Sequence, residues 1–150
     1  TQGHVFWFAK DAQFLTGKHP YVTVNNQGVV ILQPSAGKPY ELFLTQSLQI
    51  IGDHNVENVL ASAAAAWLSG VTPEQITASC LAFQGVRHRL QKIDTIAGIP
   101  FYNDSKATNP DATINALRAF KQPNHRVVLV MGGRDKMQPL DTLVNEVKDH

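Results

Sequence analysis

Seven consecutive residues, Asn103-Asp104-Ser105-Lys106-Ala107-Thr108-Asn109, bring together a carboxylate, an ammonium group, two hydroxyls and two amides. An apolar run (Ile99, Phe101, Tyr102) precedes them and Asn109-Pro110-Asp111 leads out. Asparagine is a good N-cap, proline suits the first helical position, and aspartate opposes the positive end of a helix dipole. Ile114, Leu117 and Phe120 then recur at helical spacing. The pattern predicts strand, loop and helix, a corner whose free backbone N–H groups can hold an anion. A second polar loop, Gly132-Gly133-Arg134-Asp135-Lys136, follows the Val-rich run Arg126 to Met131. Its glycines allow close backbone approach, and Arg134 and Lys136 add positive charge. If both loops follow parallel strands they share one edge of a sheet, where α/β proteins bind ligands. Each feature alone reads equally well as a helix cap or a solvated charge; the two together favour anion binding.

These loops need elements to hold them. Residues 4 to 8, 21 to 32 and 40 to 44 read as strands, with Asn25-Asn26-Gln27-Gly28 as a hairpin loop. A helix is expected from about Val56, carrying Val59, Leu60, Ala63 and Trp67 on one face and ending at Gly70. Thr72-Pro73-Glu74-Gln75 spells a capping box with proline in the first turn, and so opens a second helix. Beyond Gly85 come two strands about Ala97-Gly98, a helix over 109–120, the apolar run 126–131, and a last helix from Pro139. Strand, helix, strand, helix is the beginning of a parallel, doubly wound sheet. The expected class is α/β, with a domain boundary that assigns residues 1–88 to one domain and 89–150 to another.

Composition narrows the classes. Of 150 residues 43% are apolar and 17% charged, which suits a globular core. A net charge of +1 gives no electrostatic case for nucleic acid or an anionic membrane. No apolar run is long enough to span a bilayer, and no signal-peptide pattern opens the chain. The lone Cys80 excludes an intramolecular disulfide and reads as a buried, inert thiol. The six histidines lack paired ligand spacing, so no metal site is expected among them, and Trp7 and Trp67 read as core. The absence of an initiator methionine before Thr1 and the last helix running to His150 are what a piece of a longer protein would show.

Four segments in order carry a family resemblance: Gly52-Asp53-His54-Asn55-Val56-Glu57-Asn58, Phe83-Gln84-Gly85-Val86-Arg87-His88-Arg89, Tyr102 to Asn109, and Gly132 to Lys136. Together they resemble the Mur ligases, and within them the D-glutamate-adding type of bacterial peptidoglycan synthesis. The resemblance implies a cytoplasmic, monomeric, ATP-dependent enzyme using Mg²⁺. Its substrates would be UDP-N-acetylmuramoyl-L-alanine and D-glutamate, joined through an acyl phosphate. It implies that residues 1–88 end a central ATP-binding domain and that residues 89–150 begin a Rossmann-like ligase domain. It further implies that Asn55 and Asn58 recognise adenine, that Arg89 reaches ATP, and that Asp104 lies near the ribose. Lys106, Thr108 and Lys136 would serve the D-glutamate and muramoyl end, with Lys106 and Asp104 closest to the chemistry. Asn55 could equally cap its helix, and Arg89 could equally serve an ion pair. No Gly-x-x-x-x-Gly-Lys-[Ser/Thr] phosphate loop occurs in these residues, so they are expected to turn nothing over alone. Two alternatives stay open: another Mur-type or folylpolyglutamate synthetase-type ligase, and a non-catalytic nucleotide-binding module of the same fold.

Overall fold

The computed structural model describes residues 5–122, 126–134 and 136–149. His4 of the first expected strand and Asp135 of the glycine-led loop lie outside the described residues. The chain divides into two compact units, between Gln84 and Gly85.

In the first unit, four strands lie in sequence order: β1 (Trp7–Asp11), β2 (Tyr21–Val24), β3 (Val29–Gln33) and β4 (Tyr40–Leu44). β1 runs parallel to β2, and the other neighbours are antiparallel. The β2–β3 hairpin is built by Asn25, whose Oδ1 accepts from the amides of Gln27 and Val29, each at 2.9 Å. Gly28 completes the loop at φ 79°, a conformation that favours glycine. Helix α1 (Asp53–Leu68) packs on β1 and β2, and α2 (Pro73–Ala82) on β4 and α1. Period-two alternation aims Val22, Val30 and Leu32 at the helices, which return Val59, Leu60, Ala63, Ala64 and Ile76.

The caps follow the sequence. Thr72 and Gln75 form the reciprocal capping box, with Pro73 next to the cap. Beyond α1, Gly70 donates to Trp67 O and Val71 to Ala66 O, the paired bonds of a glycine-closed C-terminus. Cys80 is half-buried, and burial pushes its thiol pKa up. Trp7 departs from its expected place in the core. It is 38% exposed on β1, with Lys18 Nζ 3.6 Å from the centre of its ring. A sheet edge has no neighbouring strand to cover such a side chain, and the ammonium stem covers it only in part. Trp67 does pack against the core, in ring contact with Tyr40.

The second unit opens with an antiparallel hairpin, β5 (Gln91–Ile96) and β6 (Ile99–Asn103). Its turn puts Ala97 and Gly98 at φ 49° and 81°, the two positive values a tight right-twisted hairpin requires. Helix α3 (Pro110–Ala119) and helix α4 (Asp141–Lys148) follow. They share a small core of Ile114, Leu117 and Leu143, with Val127 and Leu129 packed against it. The last helix thus starts two residues after Pro139.

Residues 126–131 correct a sequence expectation. They alternate as a strand does, with Val127 and Leu129 inward, but form no ladder among the described residues. Val128 and Val130 are 90% and 92% exposed. The expected parallel sheet is therefore not closed here, because a strand exists only through neighbours that take its N–H and C=O groups.

Candidate active-site loops

The corner between β6 and α3 is built as its residues dictate. Asn109 Oδ1 accepts from Ala112 N at 2.8 Å, with Pro110 first in the helix and Asp111 in its opening turn. Asn103 Oδ1 accepts from Ser105 N at 3.0 Å, and Asp104 O from Ala107 N at 2.8 Å. Asn103, Ser105 and Asn109 therefore shape the loop. The Tyr102 ring packs at a tilt against Phe120, with centroids 4.7 Å apart, which anchors the end of β6 to the end of α3.

The loop is laced to the turn before β5. Asp104 Oδ1 accepts from Leu90 N at 2.9 Å, and Lys106 N donates to His88 O at 3.0 Å. Asn103 Nδ2 lies 3.1 Å from His88 Nδ1, within hydrogen-bond distance. Gln91 Oε1 accepts from His88 N at 2.9 Å. These bonds hold His88 and Leu90 at φ 66° and 43°, where side-chain-bearing residues are uncommon. Two exposed cations emerge from this laced piece, Lys106 and Arg89. Neither charged group has a hydrogen-bond or ion-pair partner among the described residues. A cation held on a pinned backbone and unspent on protein carboxylates is suited to meeting an anionic ligand.

The second polar loop meets the first. Lys136 Nζ donates to Thr108 O at 3.1 Å, across 28 positions of sequence. The structure thus brings Asp104, Lys106, Thr108 and Arg89 together with Lys136. The two loops expected to lie side by side meet at this contact, without the parallel sheet edge that was expected to bring them there.

Asn55 and Asn58 belong to the first unit and are described there alone. Asn55 is not the helix cap. Gly52, at φ 94°, occupies that position, and α1 begins at Asp53, so Asn55 sits inside the first turn. Its Nδ2 donates to Ile51 O at 2.7 Å, and its Oδ1 lies 3.4 Å from Asn58 Nδ2. Spaced by three, the amides share a helix face and keep donor and acceptor capacity for a purine edge. No group of three metal-ligating side chains occurs among the described residues. A cleft of about 470 Å³ in the first unit, lined by Phe6, Trp7, His19 and Trp67 among others, includes none of the motif residues.

Sequence reasoning missed His88 and Gln91 as the organisers of the loop. His88 was visible only as a neighbour of Arg89, since its partner Asn103 lies 15 positions away.

Residues 88–150 match the family of the Mur ligase, glutamate ligase domain, and through this domain the chain belongs to the Mur ligase family. Its relatives are more particular. The chain is 43% identical over 108 residues to the UDP-N-acetylmuramoylalanine--D-glutamate ligase of Thermoanaerobacter sp. (strain X514), covering 72% of the chain and 23% of that enzyme. It is 48% identical over 103 residues to the ligase of that name from Streptococcus uberis, with 69% and 22% covered. The one from Koribacter versatilis is 36% identical over 146 residues, 97% of the chain and 30% of the relative, so that alignment reaches both units. The chain spans about a quarter of the length of the curated relatives it matches.

Proposed function

We propose that the chain is part of an ATP-dependent ligase that joins D-glutamate to UDP-N-acetylmuramoyl-L-alanine through an amide bond. The observation that carries this reading is the laced loop, which presents Lys106 and Arg89 beside a helix N-terminus with Lys136 tied to it. The reaction has two displacements. A carboxylate oxygen of the muramoyl substrate takes the terminal phosphoryl group of ATP, and ADP leaves. The amine of D-glutamate then attacks the activated carbonyl carbon, the C–O bond to phosphate breaks, and the amine proton is lost.

Every anion in that sequence needs a positioned cation, since catalysis here is mostly orientation and charge stabilisation. In this reading Lys106, Thr108 and Lys136 hold the carboxylates of D-glutamate and the muramoyl end. Arg89 faces the ATP phosphates. Asp104 keeps the turn bearing Arg89 in place through Leu90 N and leaves Oδ2 for the ribose side. Asn55 and Asn58 receive adenine. Mg²⁺ would neutralise phosphate charge, and its ligands are assigned to other parts of the enzyme. Residues 1–88 serve as the end of a central ATP-binding domain. Residues 89–150 serve as the beginning of a Rossmann-like ligase domain. We expect a monomer acting in the cytoplasm, and no turnover from the 150 residues alone.

The test is phosphate release by the full-length enzyme with ATP, Mg²⁺ and UDP-N-acetylmuramoyl-L-alanine. D-glutamate, L-glutamate, L-lysine and meso-diaminopimelate are offered in turn. Turnover with D-glutamate alone, reduced at least 100-fold by Lys106→Ala, is the expected result. Turnover with another acceptor overturns the substrate, and silence with every acceptor from a folded enzyme overturns the activity.

A further inference from the structure

The two loops of the candidate site are the leads into α3 and α4, so their separation depends on how those helices lie together. The apolar contact between the helices is small, resting on Ile114, Leu117 and Leu143. Such contact is non-directional and leaves the helices free to slide or tilt. A polar contact between them is directional. In the last turn of α3, Arg118 donates through Nε to Glu146 Oε2 of α4 at 2.8 Å, and its Nη2 lies 2.6 Å from the same oxygen. Glu146 is only 9% exposed. Burying a carboxylate costs free energy that a partner does little more than offset, and the best-attested use of such a pair is to fix register. At the opposite ends of the same helices lies the Lys136–Thr108 contact.

We propose that Arg118 and Glu146 form a positioning pair that sets the spacing between the Lys106–Thr108 loop and the Lys136 loop, and with it the fit of the acceptor amino acid. This inference rests on the ligase reading above. The leverage is large. From Asn109 to Arg118 the helix rises about 13 Å, at roughly 1.5 Å per residue. A tilt of about 10° at the pair would move the loop by roughly 2 Å, and a misplacement of about 1 Å can cost on the order of 100-fold in rate.

The test uses the full-length ligase with an apolar replacement of the pair, Arg118→Met with Glu146→Leu, and separately Arg118→Lys. Kinetic constants for D-glutamate and ATP are measured beside the melting temperature. Spin labels at the exposed positions Ser105 and Gln138 report the distance between the loops. The apolar double variant is expected to melt near the parent temperature while kcat/KM for D-glutamate falls at least tenfold. KM for ATP stays unchanged, and the label distances broaden. Arg118→Lys keeps the charge and is expected to recover part of the loss. Parent-like D-glutamate kinetics and label distances in the apolar variant overturn the proposal. So does a loss of activity that merely tracks a loss of folding. If the parent enzyme uses another acceptor, the ligase substrate is wrong, and the label distances still decide whether the pair positions the loops.

Discussion

Among the described residues up to Gln84, nine buried apolar residues from a four-stranded sheet and two helices form one continuous core. Among the described residues from Gly85 onward the buried cluster has three members, and much of the long-range order comes from hydrogen bonds and the half-buried Arg118–Glu146 pair. Charge divides the same way: ten of the thirteen lysines and arginines follow Gln84. A small apolar core leaves more of the surface for cations, and a ligand loop needs directional bonds more than it needs bulk burial. The contrast teaches that the candidate site is placed by hydrogen-bond geometry, while the first unit is placed by packing.

Four experiments break or sharpen that contrast, and both tryptophans, Trp7 and Trp67, help by lying in the first unit. Leu60 is fully buried, so Leu60→Ala should cost about 2–5 kcal/mol, read as a shifted tryptophan transition in denaturant. Leu143→Ala, in the other core, should leave that transition where it was. Equal shifts from both would mean that the two units unfold together and would remove the contrast.

Next in size is the cap of α3. Asn109→Ala forfeits the bond to Ala112 N and should cost about 1 kcal/mol, seen as lost helical circular dichroism with no change in tryptophan emission. An unchanged helix signal would show that tertiary contacts, not the cap, fix where α3 begins. A gain of roughly 0.5 kcal/mol is expected from Ala97→Gly, because the turn holds Ala97 at φ 49°. Faster opening of the β5–β6 amides in that variant would show instead that backbone entropy outweighs the relief.

The smallest effect is electrostatic. Glu74 has its pKa lowered by its own backbone N–H and by Thr72. A lowered folded value means the unfolded state binds the proton first, so this contribution is present above the ordinary glutamate range. It disappears as pH falls through the folded value. Glu74→Gln should therefore lower the melting temperature slightly near neutrality and not at all in strong acid. A difference that persists at low pH would assign the effect to packing.

Much of this was legible beforehand because its causes are local. Asn25 to Gly28, Thr72 to Gln75, Ala97-Gly98 and Asn109 to Asp111 each act on backbone groups within four residues, so type and spacing suffice. The loop residues with chemistry to offer were also readable, since Asp104, Lys106 and Thr108 fall within five residues of one another. Two other readings fell. The cap reading of Asn55, held as the alternative to adenine recognition, fails because the helix begins two residues earlier, at Asp53. Trp7 looked like core, but the Lys18 side chain over its ring leaves it 38% exposed.

The sequence by itself determined the turns, the caps, the strand alternation and the family to which residues 88–150 belong. Those features need only the stereochemistry of adjacent residues and the identity of the motifs. Tertiary structure alone decided that His88 would meet Asn103, that Lys136 would reach Thr108, and that Arg118 would find Glu146. It also decided that residues 126–131 would alternate without a ladder. Such contacts close long loops, and whether their geometry repays that entropy depends on every element packed between them.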